Sequence, residues 1–416
     1  MLASCLALAL LAAPARAAAP LTLSDCVSLA ENRSVQAVAA ALAERQALFA
    51  KKAADSARLP RLFAFGQLLR SDDATTNLPD DNNATVALEQ RLYPFDAGWR
   101  RVAERDALYH AAVLERIATT QDVALAVRRL FFAILQDEDA IESIDQVQEQ
   151  FHRLLLTVLP KFTIGNAPAF DPVKVRISLA DLARTRELAQ ARLDQERETL
   201  AQVIGSTEAA TLALSPVSGT PAGPGPDFAA QVLASNAALQ AQAARVDAAE
   251  LGVKAARALR YPSLLGHLDY NYAAQATSQM TPGWTASLGL ELPLFDWGGI
   301  SARVAQKRAA ADAERNALDA DRQRVLASLA GAHARAKAHE DDEQRLSRLL
   351  PQVKRIALEG ARRYRVGATG ILEATDAIDL WLNTLLQERA AYYGYLADLA
   401  LLQKLSGGTL KVSYER

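Results

Sequence analysis

The sequence predicts a mainly α-helical chain with a small complement of membrane β-structure, in which long coiled-coil helices alternate with strand hairpins. Three observations carry this. Alanine, the strongest helix former, runs throughout the 416 residues, whereas aromatics make up 6%, too few for an all-β sandwich. Positions seven apart are mostly apolar from Val102 to Val158, Arg116 and Asp137 excepted, and from Val304 to Val353, His339 excepted, the pattern of coiled-coil packing. Landmarks also occur twice in the same order. Leu92-Tyr93-Pro94-Phe95-Asp96-Ala97-Gly98 returns as Leu292-Pro293-Leu294-Phe295-Asp296-Trp297-Gly298, and Phe162-Thr163-Ile164-Gly165 as Tyr364-Arg365-Val366-Gly367. An internal duplication explains that order.

Residues 1–18 read as a secretory signal peptide. Leu6 to Ala13 is a short apolar run, and Ala15-Arg16-Ala17 is a small-x-small cleavage site. Cys5 precedes the apolar run, the wrong order for a lipid-acceptor cysteine. Cleavage leaves Cys26 alone, so an intramolecular disulfide is excluded. No later stretch has the ~18 consecutive apolar residues of a transmembrane helix, so a membrane crossing has to be made of strands.

The first repeat is expected over 19–214: a helix opening near Asn32 and ending near Pro60, a hairpin at about 60–93, a long helix over 97–159 and a helix over 172–204. Residues 215–226 form a Pro/Gly/Ser linker. The second repeat, 227–410, has a helix opening at Asn236, a hairpin at about 262–293, a long helix over 297–363 and a helix over 371–405; residues 411–416 form a tail. Pro351 is expected to interrupt and kink the second long helix. In the hairpins Leu264, Gly266, Leu268, Tyr270 and Tyr272 alternate with polar neighbours, as do Trp284, Ala286, Leu288, Leu290 and Leu292. Segments 61–69 and 84–92 alternate less cleanly, Gln67 and Gln90 intruding on the apolar side. Each segment is about ten residues, the length of a tilted membrane strand. Tyr93, Phe95, Trp99, Tyr261, Trp284, Phe295 and Trp297 cluster near their ends, as an interfacial aromatic girdle would. Four strands cannot close a barrel and open edges are not tolerated in lipid, so the chain has to oligomerise; three copies supply twelve strands.

The net charge of −2 gives no basic footprint and argues against a nucleic-acid partner. Five histidines and two cysteines leave no metal-site spacing: His333 and His339 do not share a helix face as zinc-binding pairs do. Glu340-Asp341-Asp342-Glu343 reads as a solvated face. No nucleophile–base set, phosphate loop or dinucleotide fingerprint is present, so neither enzyme activity nor a cofactor is expected.

Repeated helix–hairpin–long helix–helix units, Phe-Asp-x-Gly after each hairpin, and a glycine followed six residues later by an acid (Gly165 and Asp171, Gly367 and Glu373) together resemble the TolC family of outer-membrane efflux proteins, over roughly Leu21 to Leu410. The resemblance implies a homotrimer whose twelve-stranded barrel in outer-membrane lipid continues into a periplasmic helical barrel. It implies the exit duct of a tripartite pump or type I secretion system, working with a periplasmic adaptor and an inner-membrane pump of RND, ABC or MFS type. Carried over by position, Glu373 and Asp376 match the carboxylates ringing the closed entrance, and Asp171 and Tyr364 match its hydrogen-bond network. Ile164, Gly165, Val366, Gly367, Ala368 and Thr369 match the adaptor-docking tips. Thr369 stands where the best-known member has an arginine. Independently, Glu373 and Asp376 are three apart and share a helix face, and tight helix reversals call for glycine. An exported structural coiled-coil protein without a pore is the competing reading.

Overall fold

The computed structural model describes residues 20–69, 81–92, 97–206, 213–217, 228–275, 280–410 and 414. The signal segment with Cys5, the first-copy residues Tyr93, Phe95 and Asp96, and most of the 215–226 linker lie outside them. The elements run α1 (Leu23–Arg33), α2 (Val35–Ser56), β1 (Arg61–Leu69), β2 (Asp81–Arg91), α3 (Ala97–Thr163), α4 (Phe170–Ile204), α5 (Phe228–Ser235), α6 (Ala237–Ala258), β3 (Ser263–Gln275), β4 (Met280–Glu291), α7 (Gly299–Arg365) and α8 (Ile371–Leu405). One succession occurs twice with matching lengths: 22 residues in α2 and α6, 67 in α3 and α7, 35 in α4 and α8. At 1.5 Å per residue α3 and α7 are each about 100 Å long.

Three expectations change. Asn32 does not open a helix: it sits in the last turn of α1, its side chain donating to the Ser28 carbonyl at 2.8 Å. Ser34 opens α2 instead, its hydroxyl accepting from the Ala37 N–H at 3.2 Å, as the Asn236 side chain accepts from Leu239 N–H in α6 at 3.1 Å. Helix α7 runs unbroken through Pro351, and α3 likewise contains Pro160. Each proline removes one backbone donor, but packing along the rest of a 67-residue helix holds the ladder on both sides. The strands also extend beyond their alternating segments, because backbone pairing continues where side-chain alternation fades.

The four strands form one antiparallel sheet in the order β1-β2-β3-β4. Its register sorts the residues into two faces, since directly opposed residues point the same way. On one face Leu62, Val86, Leu88, Leu268, Tyr270, Trp284, Leu288 and Leu290 fall in line; on the other are Glu89, Thr85, His267, Asp269, Asn271, Ser287 and Thr285. Thr85 Oγ1 donates to Asn271 Oδ1 across that polar face at 2.6 Å. Gln67 stands opposite Asn83 in the register, and Phe63 and Phe65 are apolar residues placed on the polar set. The period-two pattern of β1 is ambiguous because both its faces carry apolar residues. Gln90 does lie on the apolar line, opposite Gly266, and its amide donates to the Arg58 carbonyl at 2.9 Å.

Near the sheet α3 packs between α2 and α6, with α7 on the far side of α6; away from it α3 packs on α4 and α8, and α8 on α7. One core gathers Phe131, Phe132, Tyr395 and Leu399 where α1, α3, α4 and α8 meet, and a second gathers Phe151, Val175, Ile378 and Trp381 towards the far tip. Tyr414, in the expected C-terminal tail, is buried, its ring 5.4 Å from that of Phe132. Cys26 is buried in the first core and burial pushes its thiol up to about 11, which keeps it protonated and inert. No helix among the described residues is long and apolar enough to cross a membrane.

Candidate functional site

The candidate site lies at the end remote from the sheet, where α3 turns into α4 and α7 into α8. Both turns close the same way. In the first, the Gly165 N–H donates to the Phe162 carbonyl at 3.0 Å and Asn166 N–H to that of Lys161 at 2.8 Å. In the second, Gly367 N–H donates to Tyr364 at 3.0 Å and Ala368 N–H to Arg363 at 2.9 Å. These paired bonds are a Schellman closure, which needs a left-handed residue. Gly165 and Gly367 supply it at φ 77° and 79°. A Cβ at either would meet open space, so the backbone angle and not crowding requires glycine.

The turns present apolar side chains to solvent, Ile164 68% exposed and Val366 78%. Ala368 is exposed, while Thr369 is half-buried and its hydroxyl oxygen has no hydrogen-bond partner. Behind them Tyr364 and Asp171, both buried, are joined by a 2.5 Å hydrogen bond from the phenol to the carboxylate. Burial and this bond push the Tyr364 phenol up, so it remains a donor across the physiological range. Lys161 Nζ donates to the Tyr364 carbonyl at 2.6 Å and lies 4.8 Å from the centre of its ring. The pair therefore ties α7 to α4, and Lys161 ties α3 to α7. Removing the phenolic hydroxyl would strip a buried carboxylate of a donor, at about 1–3 kcal/mol.

Glu373 and Asp376 lie one turn apart in the first turns of α8, both exposed. Sequence reasoning missed the acid that continues their line, Asp379, although the i+3 spacing was available. Asp379 is half-buried, and burial followed by the charges of Asp376 and Asp181 raises its carboxyl above the usual range, against the opposing pull of Lys174. The structure thus brings Asp171 and Tyr364 into contact and leaves Glu373 and Asp376 unpaired on an open face.

Two further sites bear on the sequence motifs. In the second Phe-Asp-x-Gly copy, Asp296 caps α7, accepting from the Gly298 N–H at 3.2 Å and the Ile300 N–H at 2.5 Å. Gly298 takes φ 85° and Trp297 φ 53°, so the motif is a corner that aims a helix away from a strand. His339 packs over Gly394, where a Cβ would stand 2.8 Å from the imidazole, and its Nδ1 is 3.3 Å from Asp398 Oδ2. Arg335 completes that pair at 3.0 Å. His333 is exposed and takes no part in it.

Residues 229–408 match the outer membrane efflux protein family. The chain is 31% identical over 184 residues to the pyoverdine export outer membrane protein OpmQ of Pseudomonas putida, a match covering 43% of this chain and 38% of that protein's length. It is 26% identical over 352 residues to CyaE of Bordetella pertussis, covering 81% of this chain and 73% of the relative. The fold matches the Campylobacter jejuni CmeC outer membrane channel with a TM-score of 0.84 at 16% identity, over 94% of this chain and 86% of that one. At that identity the likeness speaks for the fold.

Proposed function

We propose that this chain, whose residues 229–408 match the outer membrane efflux protein family, is the outer-membrane exit duct of a tripartite efflux or type I secretion system. It moves cargo passively, the energy coming from an inner-membrane pump that hands cargo on through a periplasmic adaptor. The observation that carries this is the sheet: one apolar face, one polar face and open edges at β1 and β4, set on helices about 100 Å long. An apolar face of this height belongs in lipid, and open edges in lipid have to be paired.

The helices support the same closure. The side of α2 away from α3 carries Val35, Ala39, Leu42, Gln46, Phe49 and Ala53, all exposed and spaced alternately four and three apart. The side of α7 away from α6 carries Ala302, Gln306, Ala309, Ala313, Asn316 and Ala320 with the same spacing, again all exposed. One seam holds large apolar knobs and the other mostly small residues, as knobs-into-holes packing needs. Because α2 and β1 form one edge of the chain and α7 and β4 the other, copies join head to tail. Three close a ring of twelve strands.

In this homotrimer Ile164, Gly165, Val366, Gly367, Ala368 and Thr369 are the tips that dock the adaptor, their apolar side chains being exposed for a partner. Glu373 and Asp376 of three copies ring the periplasmic entrance, and the Tyr364–Asp171 bond holds it narrow. Thr369 adds no bond to that hold. Fractionation tests the reading: the channel is extracted from outer membranes by detergent and runs as a trimer on semi-native gels. Release by salt alone, as a monomer, overturns it.

A further inference from the structure

At the junction of sheet and helices lies a cavity of about 760 Å³, remote from the tip. Its wall combines the ends of α2, β1 and β2 with the start of α3, and four arginines line it, Arg61, Arg91, Arg101 and Arg105, against one carboxylate, Glu89. Three of these guanidiniums, on Arg61, Arg101 and Arg105, form no ion pair with any described residue, although Arg61 stands directly opposite Glu89 in the strand register. Two other arginines in this part of the fold bridge helices, Arg116 to Glu44 across α2–α3 and Arg245 to Glu115 across α3–α6. Small side chains, Ala50, Ala53 and Ala54, leave the floor open. Like charges gathered round a concave wall repel one another, and the low-dielectric surface focuses their field. An anion relieves that repulsion, and guanidinium forks fit carboxylate and phosphate oxygens.

We propose that this cavity is an anion-binding site in the wall of the duct, which takes carboxylate- or phosphate-bearing groups of passing cargo. Its placement rests on reading the polar sheet face as lumenal: Arg61 and Glu89 belong to the same register set as His267 and Ser287. Repetition in three copies makes a basic collar at the membrane end, opposite in sign to the acidic entrance at the tip. Cargo bearing carboxylates or phosphates is thus drawn past the junction instead of stalling there.

Calorimetry of inositol hexakisphosphate with the detergent-solubilised protein tests the site. Wild type binds, more weakly as salt rises, and the Arg61→Gln/Arg101→Gln/Arg105→Gln variant binds at least about tenfold more weakly, while the corresponding triple Lys variant, which keeps the charge and loses the fork, falls between the two. Equal binding by wild type and the Gln variant overturns the proposal. A planar bilayer then locates the bound anion: current through wild type is blocked, and current through the Gln variant is not. Binding without block overturns the placement in the duct. Phosphatidylglycerol that co-purifies with wild type and is lost from the Gln variant, again without block, makes the site a lipid headgroup site and also overturns it. A wild type that binds the anion yet conducts nothing contradicts the channel reading and leaves the anion site standing.

Discussion

At the proposed constriction, two side chains carry the chemistry and a third pair carries the geometry. Glu373 and Asp376 form no ion pair with any described residue, so in the proposed ring of three copies their charges would face one another and a multivalent cation. The Glu373→Ala/Asp376→Ala variant is expected to lose block by a trivalent cation and some cation selectivity at low salt while remaining trimeric; persistent block shows that these acids only favour a helix start. Higher on the same barrel, Glu196 shares an Arg192 with Asp137, and burial, followed by the Asp137 charge, raises its carboxyl to about 7. An acid with a raised folded pKa binds more protons folded than unfolded, so stability falls as pH rises from about 4.5 to about 7. Glu196→Gln should therefore melt higher than wild type at pH 8 and the same at pH 4, modestly because the group is partly exposed; a pH-independent difference in thermal melts contradicts this. The position of the acids and of Tyr364 was legible through motif spacing. Spacing alone did not join Tyr364 to Asp171, since their 2.5 Å bond depends on how two distant helices cross; only the family resemblance put both in one hydrogen-bond network.

Among the elements, the long helices were legible nearly to the residue, since a heptad sustained over many turns leaves one reading. Pro351 was misread because the rule for an isolated helix was applied to one held by α8 along its length. In the strands, β3 and β4 alternate and their faces follow from sequence, whereas β1 carries Phe63 and Phe65 on the polar set and needed the register. The face assignment predicts unequal tolerance. Leu290→Arg, on the lipid face, should hinder assembly by up to about 2–4 kcal/mol near the bilayer midplane, and Ser287→Arg should be accepted and shift ion selectivity. Equal assembly yields in membranes would refute it. The edge seams make a second prediction. Leu42→Ala should weaken trimers by about 2–5 kcal/mol if the seam closes as tightly as a core, and Leu42→Arg should leave monomers. Trimers of normal heat stability in Leu42→Arg, scored by semi-native electrophoresis, would remove α2 from the interface.

For the whole molecule, the proposed duct makes each chain a third of an object. Its two halves repeat an element order with equal helix lengths, its sheet is open at both edges, and its opposite helix seams suit each other in size. The need for several copies could be read from the sequence, because lipid forbids open edges and four strands cannot close. What the sequence could not give was the charge layout: the acids at the tip are visible as a motif, while the arginines at the junction come from three separate elements and meet only in the fold. The central claim is that the assembled chains form a water-filled path through the outer membrane. Single-channel recording of the detergent-extracted protein in a planar bilayer tests it most directly. The account predicts discrete conductance steps, each from one trimer; trimers that insert into the bilayer and carry no current would contradict it.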